Sequence, residues 1–232
     1  MLGWIWHCYC LRKIYPVYSN LNFVILGSAP LSTLTQNKLI LANCCAIALS
    51  NFELGQTLPF QNQFEGYLND SQRLVSEVLR WTNGQPLLTH KLCQLLKADL
   101  VTMAGRQGAE KNVWPAAPFA ETLNQWIDQL VQEAIVETWY QHNELSYLRE
   151  VWTQITRSRY KKQLVILFHN ILTKDPVQLD GNLIQSELLF SGLAIAQHGQ
   201  LEVGNEIYRH IFTPLTHDYL GLLSKNSSYP IG

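Results

Sequence analysis

NLIQSELLFSGLAIAQHGQLEVGNEIY, residues 182–208, changes texture twice within one short stretch. Asn182 to Leu193 reads as a short helix stopped by Gly192, because glycine takes the left-handed backbone that ends a helix without steric cost. Ala194 to Gln197 and Leu201 to Val203 then flank His198-Gly199, a pair suited to a tight hairpin turn, and a second helix begins near Asn205. Upstream, ETLNQWIDQLVQEAIVETWY, NELSYLREVWTQIT and KKQLVILFHNILTK carry apolar residues at helical spacing and predict three helices. Helices followed by a glycine-turned hairpin are the order of a winged helix.

Farther toward the N-terminus, WTNGQPLLTHKLCQLL (81–96) places a Gly-x-Pro corner before an amphipathic helix. Asn83 and Gly84 accept turn angles, and Pro86 has its φ preset for a first helical turn, where a missing N–H costs nothing. Leu88, Leu92, Leu95 and Leu96 give this helix one apolar face. The helix before the corner, SQRLVSEVLRW, starts after a capping Asn69 or Asp70. A loop from Ala104 to Pro118, with two prolines and two glycines, is the best internal boundary. Phe23 to Gly27 is an unbroken apolar run, the pattern of a parallel strand covered on both faces, and Ala46 to Leu49 is a weaker second candidate. Residues 2–14 predict a short helix, ended at Pro16.

With 232 residues, 47% hydrophobic and 15% charged, the chain is too apolar to be disordered. A formal charge of -1 gives no overall field toward nucleic acid or anionic lipid. Five cysteines, Cys8, Cys10, Cys44, Cys45 and Cys93, are an odd number, and two pairs lie too close in sequence for an ordinary disulfide framework. A reducing cytoplasm is the expected setting. The apolar start lacks a basic n-region and is too short to span a bilayer, so neither an export signal nor a membrane anchor is expected.

The runs NFVILGSAPLSTL, AIALSNFEL, VLRWTNGQPLLTHKLCQLL and SGLAIAQHGQLEVGNEIYRHIF occur here in order and rough spacing. In this the chain resembles the AAA-like domain of cyanobacterial signalling proteins, a member of the STAND class of P-loop NTPases often fused to sensor or WD40-type modules. The resemblance covers about residues 4–213. It implies that the Gly-x-Pro corner opens a lid helix beside the nucleotide base, with Gly84 and Pro86 near adenine, and that Phe23 to Gly27 is a sensor strand with Ser28 near its phosphate end. These three residues are the candidate cofactor-binding positions.

Phosphate binding in such folds needs Gly-x-x-x-x-Gly-Lys-Ser/Thr, and no such run exists in these residues. The acidic strand end that would hold magnesium is also missing. The chain therefore looks like the C-terminal half of the family's domain. The expected fold is mainly α, of α+β type: truncated P-loop NTPase core strands, a helical lid and a C-terminal winged-helix domain with a β-hairpin wing. The expected division is 1–68 for the core remnant, 69–104 for the lid, 105–158 for a linker with helices, 159–215 for the winged helix and 216–232 for a flexible tail. ATP and magnesium are cofactors of intact relatives, and none is expected here, nor any catalytic residue.

Other candidate chemistry is weaker. His7, Cys8 and Cys10 crowd together, but Cys-x-Cys on a helix sends its thiols to different faces, so all five cysteines read as buried small hydrophobes and no metal site is expected. None of the seven histidines falls in a nucleophile or zinc motif. The aromatics Trp114, Trp126, Trp139, Tyr140, Trp152 and Phe168 read mostly as core. The run Arg157-Ser-Arg-Tyr-Lys-Lys162 is the one argument for nucleic acid. Yet residues 175–208 hold no Lys or Arg and carry Asp175, Asp180, Glu187, Glu202 and Glu206, which would repel phosphates. Protein partners are expected instead, either the missing P-loop half or fused signalling modules. The alternatives are a winged-helix nucleic-acid binder and a split ATPase whose P-loop lies on another chain.

Overall fold

The computed structural model describes residues 2–25, 38–45, 47, 50–107, 119–141, 143–173 and 175–226. They form two compact units, 1–49 and 50–232. In the first, α1 (Leu2–Leu11) is followed by a 3-10 turn, Pro16–Asn20, and a short helix, Lys38–Ala42. Cys8 is buried, Trp6 and Tyr9 stack at 5.2 Å, and the Tyr9 hydroxyl donates to Asn43 Oδ1 at 2.6 Å.

The expected strand at Phe23–Gly27 is a correction. Its described part, 23–25, has no strand partner, and Val24 is 85% exposed. An apolar run becomes a strand only where neighbouring strands supply its hydrogen bonds, and the described residues here provide none. The weaker candidate at Ala46–Leu49 falls largely outside the described residues.

The second unit is mainly helical, with one small antiparallel sheet. Beyond short helical turns such as Leu58–Gln61, its main elements are α2 (Ser71–Thr82), α3 (Pro86–Gln107), α4 (Phe119–Val131), α5 (Ser146–Arg157), α6 (Lys161–Leu172), β1 (Val177–Gln178), α7 (Leu183–Phe190), β2 (Ala194–Gln197), β3 (Gln200–Val203) and α8 (Glu206–Asn226). Asp70 caps α2, its side chain accepting from the Arg73 N–H at 2.9 Å. The long helix expected over 121–140 widens into a π turn at Gln132–Val136 and then loosens into turns.

The sheet order is β1-β3-β2, with Val177 opposite Leu201 and Ala194 opposite Val203. The β2–β3 turn is His198-Gly199, at φ 50° and 78°, the paired left-handed angles that match the twist of a two-residue hairpin. β1 was not foreseen. It is two residues long and exists through its pairing with β3. The described part of the expected tail, 216–226, instead continues α8 through Pro214.

The core of this unit runs from Phe64 through the inner faces of α2 and α3 to α6 and α8. At its centre the Phe212 ring meets Trp139, Trp152, Phe168 and Tyr208, all with centroids within 6.0 Å. Tyr140, expected among the core aromatics, is 66% exposed with its ring beneath the Arg149 guanidinium. Trp114 lies outside the described residues. Cys10, Cys44 and Cys45 are exposed, against the expectation of burial, while Cys93 is buried and its thiol is pushed up to about 12 by desolvation. A thiol so far from ionising is inert as nucleophile or ligand.

Candidate functional site

The Gly-x-Pro corner is built by two consecutive left-handed residues. Asn83 ends α2 at φ 47°, ψ 34°, with its N–H donating to the Leu79 carbonyl at 2.7 Å, and Gly84 follows at φ 69°. The Gln85 N–H returns to the Thr82 carbonyl at 2.9 Å, and the Gln85 side chain caps α3 by accepting from the Leu88 N–H at 2.6 Å. Pro86 is the first residue of α3 and exposed. Beneath the corner, the buried hydroxyls of Thr82 and Thr89 lie 2.8 Å apart. Thr82 donates its single proton to the Val78 carbonyl at 2.9 Å, which makes Thr89 the donor of the pair.

Two distant parts of the unit meet this corner. On one side the Phe52 N–H donates to the Gly84 carbonyl at 2.8 Å, and a Cβ at position 84 would stand 2.0 Å from the Phe52 carbonyl oxygen. Gly84 is thus required twice, by its positive φ and by this approach. The Phe52 ring packs edge-on against Phe60 at 5.4 Å, and Phe60 against His90 at 6.5 Å. On the other side Asn83 Nδ2 donates to the Gly204 carbonyl at 3.0 Å. Gly204 sits between the hairpin and α8. Its own N–H donates to the Leu193 carbonyl at 2.7 Å, and a Cβ there would meet the Gly192 oxygen at 2.6 Å.

The two roles of Asn83 separate by substitution. Asn83→Gly keeps the left-handed turn and loses the Gly204 hydrogen bond, for about 1 kcal/mol. Asn83→Ala adds the left-handed penalty of an ordinary side chain and is expected to cost about 2 kcal/mol in urea unfolding. Equal costs for the two would show that the turn geometry contributes nothing.

Beside the corner lies an open cleft of about 500 Å³ lined by Arg80, Trp81, Asp128, Glu206 and His210. Asp128 Oδ1 accepts from Arg80 Nη2 at 2.5 Å and from the Trp81 indole N–H at 2.7 Å, while Arg80 Nε donates to Glu77 at 2.6 Å. Burial lowers the Arg80 pKa, but the two carboxylates outweigh it and raise the value above the ordinary one. With Arg80 spent on two acids and Glu206 nearby, this cleft is not a phosphate cradle. The His210 ring tilts against Trp81 at 5.0 Å, a direct contact between α2 and α8.

Of the residues singled out in the sequence, Gly84 and Pro86 bracket the corner, whereas Ser28 lies outside the described residues. Gly84 is buried, and its carbonyl is engaged by Phe52. Phe52 and Gly204 were missed. Their sequence signals are single residues, and each partnership spans tens of residues or more. Among the described residues no three His, Cys, Asp or Glu side chains gather in a metal-binding group. The basic run ends α5 and opens α6. Arg157, Arg159, Lys161 and Lys162 are exposed there, with Arg159 over the Tyr160 ring. Among the described residues no helix is long and apolar enough to cross a membrane.

Over 213 residues the chain is 30% identical to an uncharacterized WD repeat-containing protein of Synechocystis sp., a match that takes in 90% of this chain. It spans 17% of that relative's length. No family model matches the chain. No solved structure matches it.

Proposed function

We propose that the chain is the C-terminal part of an AAA-like, STAND-type module, acting as a nucleotide-switch-derived protein-interaction or signalling unit in the cytoplasm, without ATPase activity of its own. The observation that carries this reading is the corner. A rigid Asn83-Gly84 turn holds the Phe52 backbone on one side and the Gly204 carbonyl at the foot of the hairpin on the other, so the α2–α3 pair and the hairpin–α8 unit share one hinge point. A lid and winged helix in a switch need such a link, because a ligand biases only those elements whose contacts differ between states. The order α6, β1, α7, β2, β3 and the first part of α8, with β1 at the sheet edge, supports the winged-helix reading of residues 159–215. Similarity to one stretch of a WD repeat-containing cyanobacterial protein fits a module fused to others.

These 232 residues contain no phosphate-binding glycine run with its lysine. Titration of the protein with labelled ATP and magnesium is expected to show no saturable binding, since most nucleotide affinity comes from phosphate contacts. Micromolar binding would overturn the reading. Against the nucleic-acid alternative stands the acidic composition of 175–208, and weak, salt-insensitive retention on heparin is the matching expectation.

A further inference from the structure

We infer that the outer face of α7 is a docking surface for a basic amphipathic helix of a partner protein. The inner face of α7 is taken up by Gln185 and Leu188, both buried. Its outer stripe is Leu183, Glu187 and Phe190, at positions i, i+4 and i+7, with Leu183 61% and Phe190 37% exposed. Leu179, 42% exposed, lies in the loop leading to the same helix. Two large apolar side chains about 10 Å apart along one helix, with a carboxylate between them, form a patterned surface rather than scattered exposure.

The scaffold beneath is already ordered. Asn182 caps α7 by accepting from the Gln185 N–H at 2.9 Å. Gln185 Oε1 accepts from the N–H groups of Asp180 and Gly181, and its Nε2 donates to the Gln178 carbonyl at 2.8 Å. The Leu179 N–H donates to the Gly199 carbonyl at 2.9 Å. Leu179 and Leu183 are therefore presented without an ordering cost at the moment of binding. The bond to Gln178 also occupies a carbonyl of β1, which leaves the helix face, rather than an added strand, as the mode of recognition.

Charge selects the occupant. Asp180, exposed just before α7, and Glu187 on its outer stripe are both acids, residues 175–208 hold no Lys or Arg, and Glu187 forms no ion pair among the described residues. Nucleic acid and anionic membrane are repelled by such a surface, whereas a helix with apolar anchors two turns apart and a Lys or Arg between them meets both the apolar sites and the carboxylate. This rests on the protein-interaction part of the proposed function and is independent of its nucleotide part.

The test uses the full chain and two labelled synthetic amphipathic helices that share leucines at i, i+3, i+4 and i+7, one with lysines and one with glutamates on the flanks. Fluorescence anisotropy is expected to show binding of the lysine peptide alone. Glu187→Lys should weaken it about tenfold and transfer affinity to the glutamate peptide, and Leu183→Asp should abolish both. Leu183 is exposed and Glu187 only partly buried, so thermal unfolding of both variants should stay close to wild type and confirm folded protein. Equal binding of the two peptides, no binding of either, or indifference to both substitutions would overturn the proposal. So would sedimentation showing a dimer that Leu183→Asp dissolves, which would make a second copy the occupant. ATP titration on the same preparations reads the nucleotide part separately: binding of ATP with peptide selectivity intact would overturn that part alone.

Discussion

Phe212→Ala is expected to lower the unfolding free energy of the larger unit by about 3–5 kcal/mol, the range for deleting a fully buried phenyl ring. Phe212 has no solvent exposure, and it is the common neighbour of four aromatic rings from different parts of the chain. Trp152 stacks on it at 25° between ring planes, while Trp139, Phe168 and Tyr208 approach at steeper angles. Rings packed from several directions cannot all close on the void, so the cavity term is retained. Typical domains are stable by only about 5–15 kcal/mol, and this one substitution removes a large share. Urea unfolding followed by tryptophan fluorescence measures it, with Trp139 and Trp152 reporting from the site. Phe212→Leu, which keeps most of the volume, should cost under about 1.5 kcal/mol. A loss below about 1 kcal/mol for the alanine variant would mean that α8 is not anchored through this ring.

The elements legible in the sequence are those whose cause is local. Asp70 caps α2 from three residues away, the His198-Gly199 turn sets the hairpin, and Asn83, Gly84 and Pro86 specify the corner with their own backbone preferences. The misses have causes that lie far along the chain. β1 is held by β3 some twenty residues on. α8 passes Pro214, whose ring removes one helical hydrogen bond, because the turn beyond it is tied down elsewhere. The buried Thr216 hydroxyl donates to the Thr213 carbonyl at 2.9 Å and lies 3.0 Å from His169 Nδ1 on α6. The apolar run at 23–25 shows the converse, strand-like composition with no strand beside it among the described residues. At the candidate site the same division holds: the turn was readable, but its two attachments, Phe52 and Gly204, depend on how separate segments come together.

Gly84→Ala tests the first of those attachments and is expected to destabilise the larger unit by about 2–4 kcal/mol. Two costs add. Alanine at φ 69° pays about 1 kcal/mol for its left-handed backbone. Its methyl group would also sit 2.0 Å from the oxygen and 2.7 Å from the nitrogen of Phe52, atoms of the main chain that no rotamer change can move. Relief requires the segment around Phe52 to lift, which breaks the Phe52–Gly84 hydrogen bond, worth about 1 kcal/mol net, and loosens the Phe52–Phe60 contact. The segment is not free to follow, because Thr57 is fully buried with its hydroxyl donating to the Leu54 carbonyl at 2.6 Å. The damage should therefore be local as well as global: residues near 50–57 become sensitive to protease under conditions where α2 and α3 remain protected. Comparison with Asn83→Gly separates the two sides of the corner, since that variant frees the hairpin side and leaves Phe52 in place. A Gly84→Ala protein with wild-type stability and an uncut 50–57 segment would show that the corner does not hold Phe52, and the shared hinge point would be lost with it.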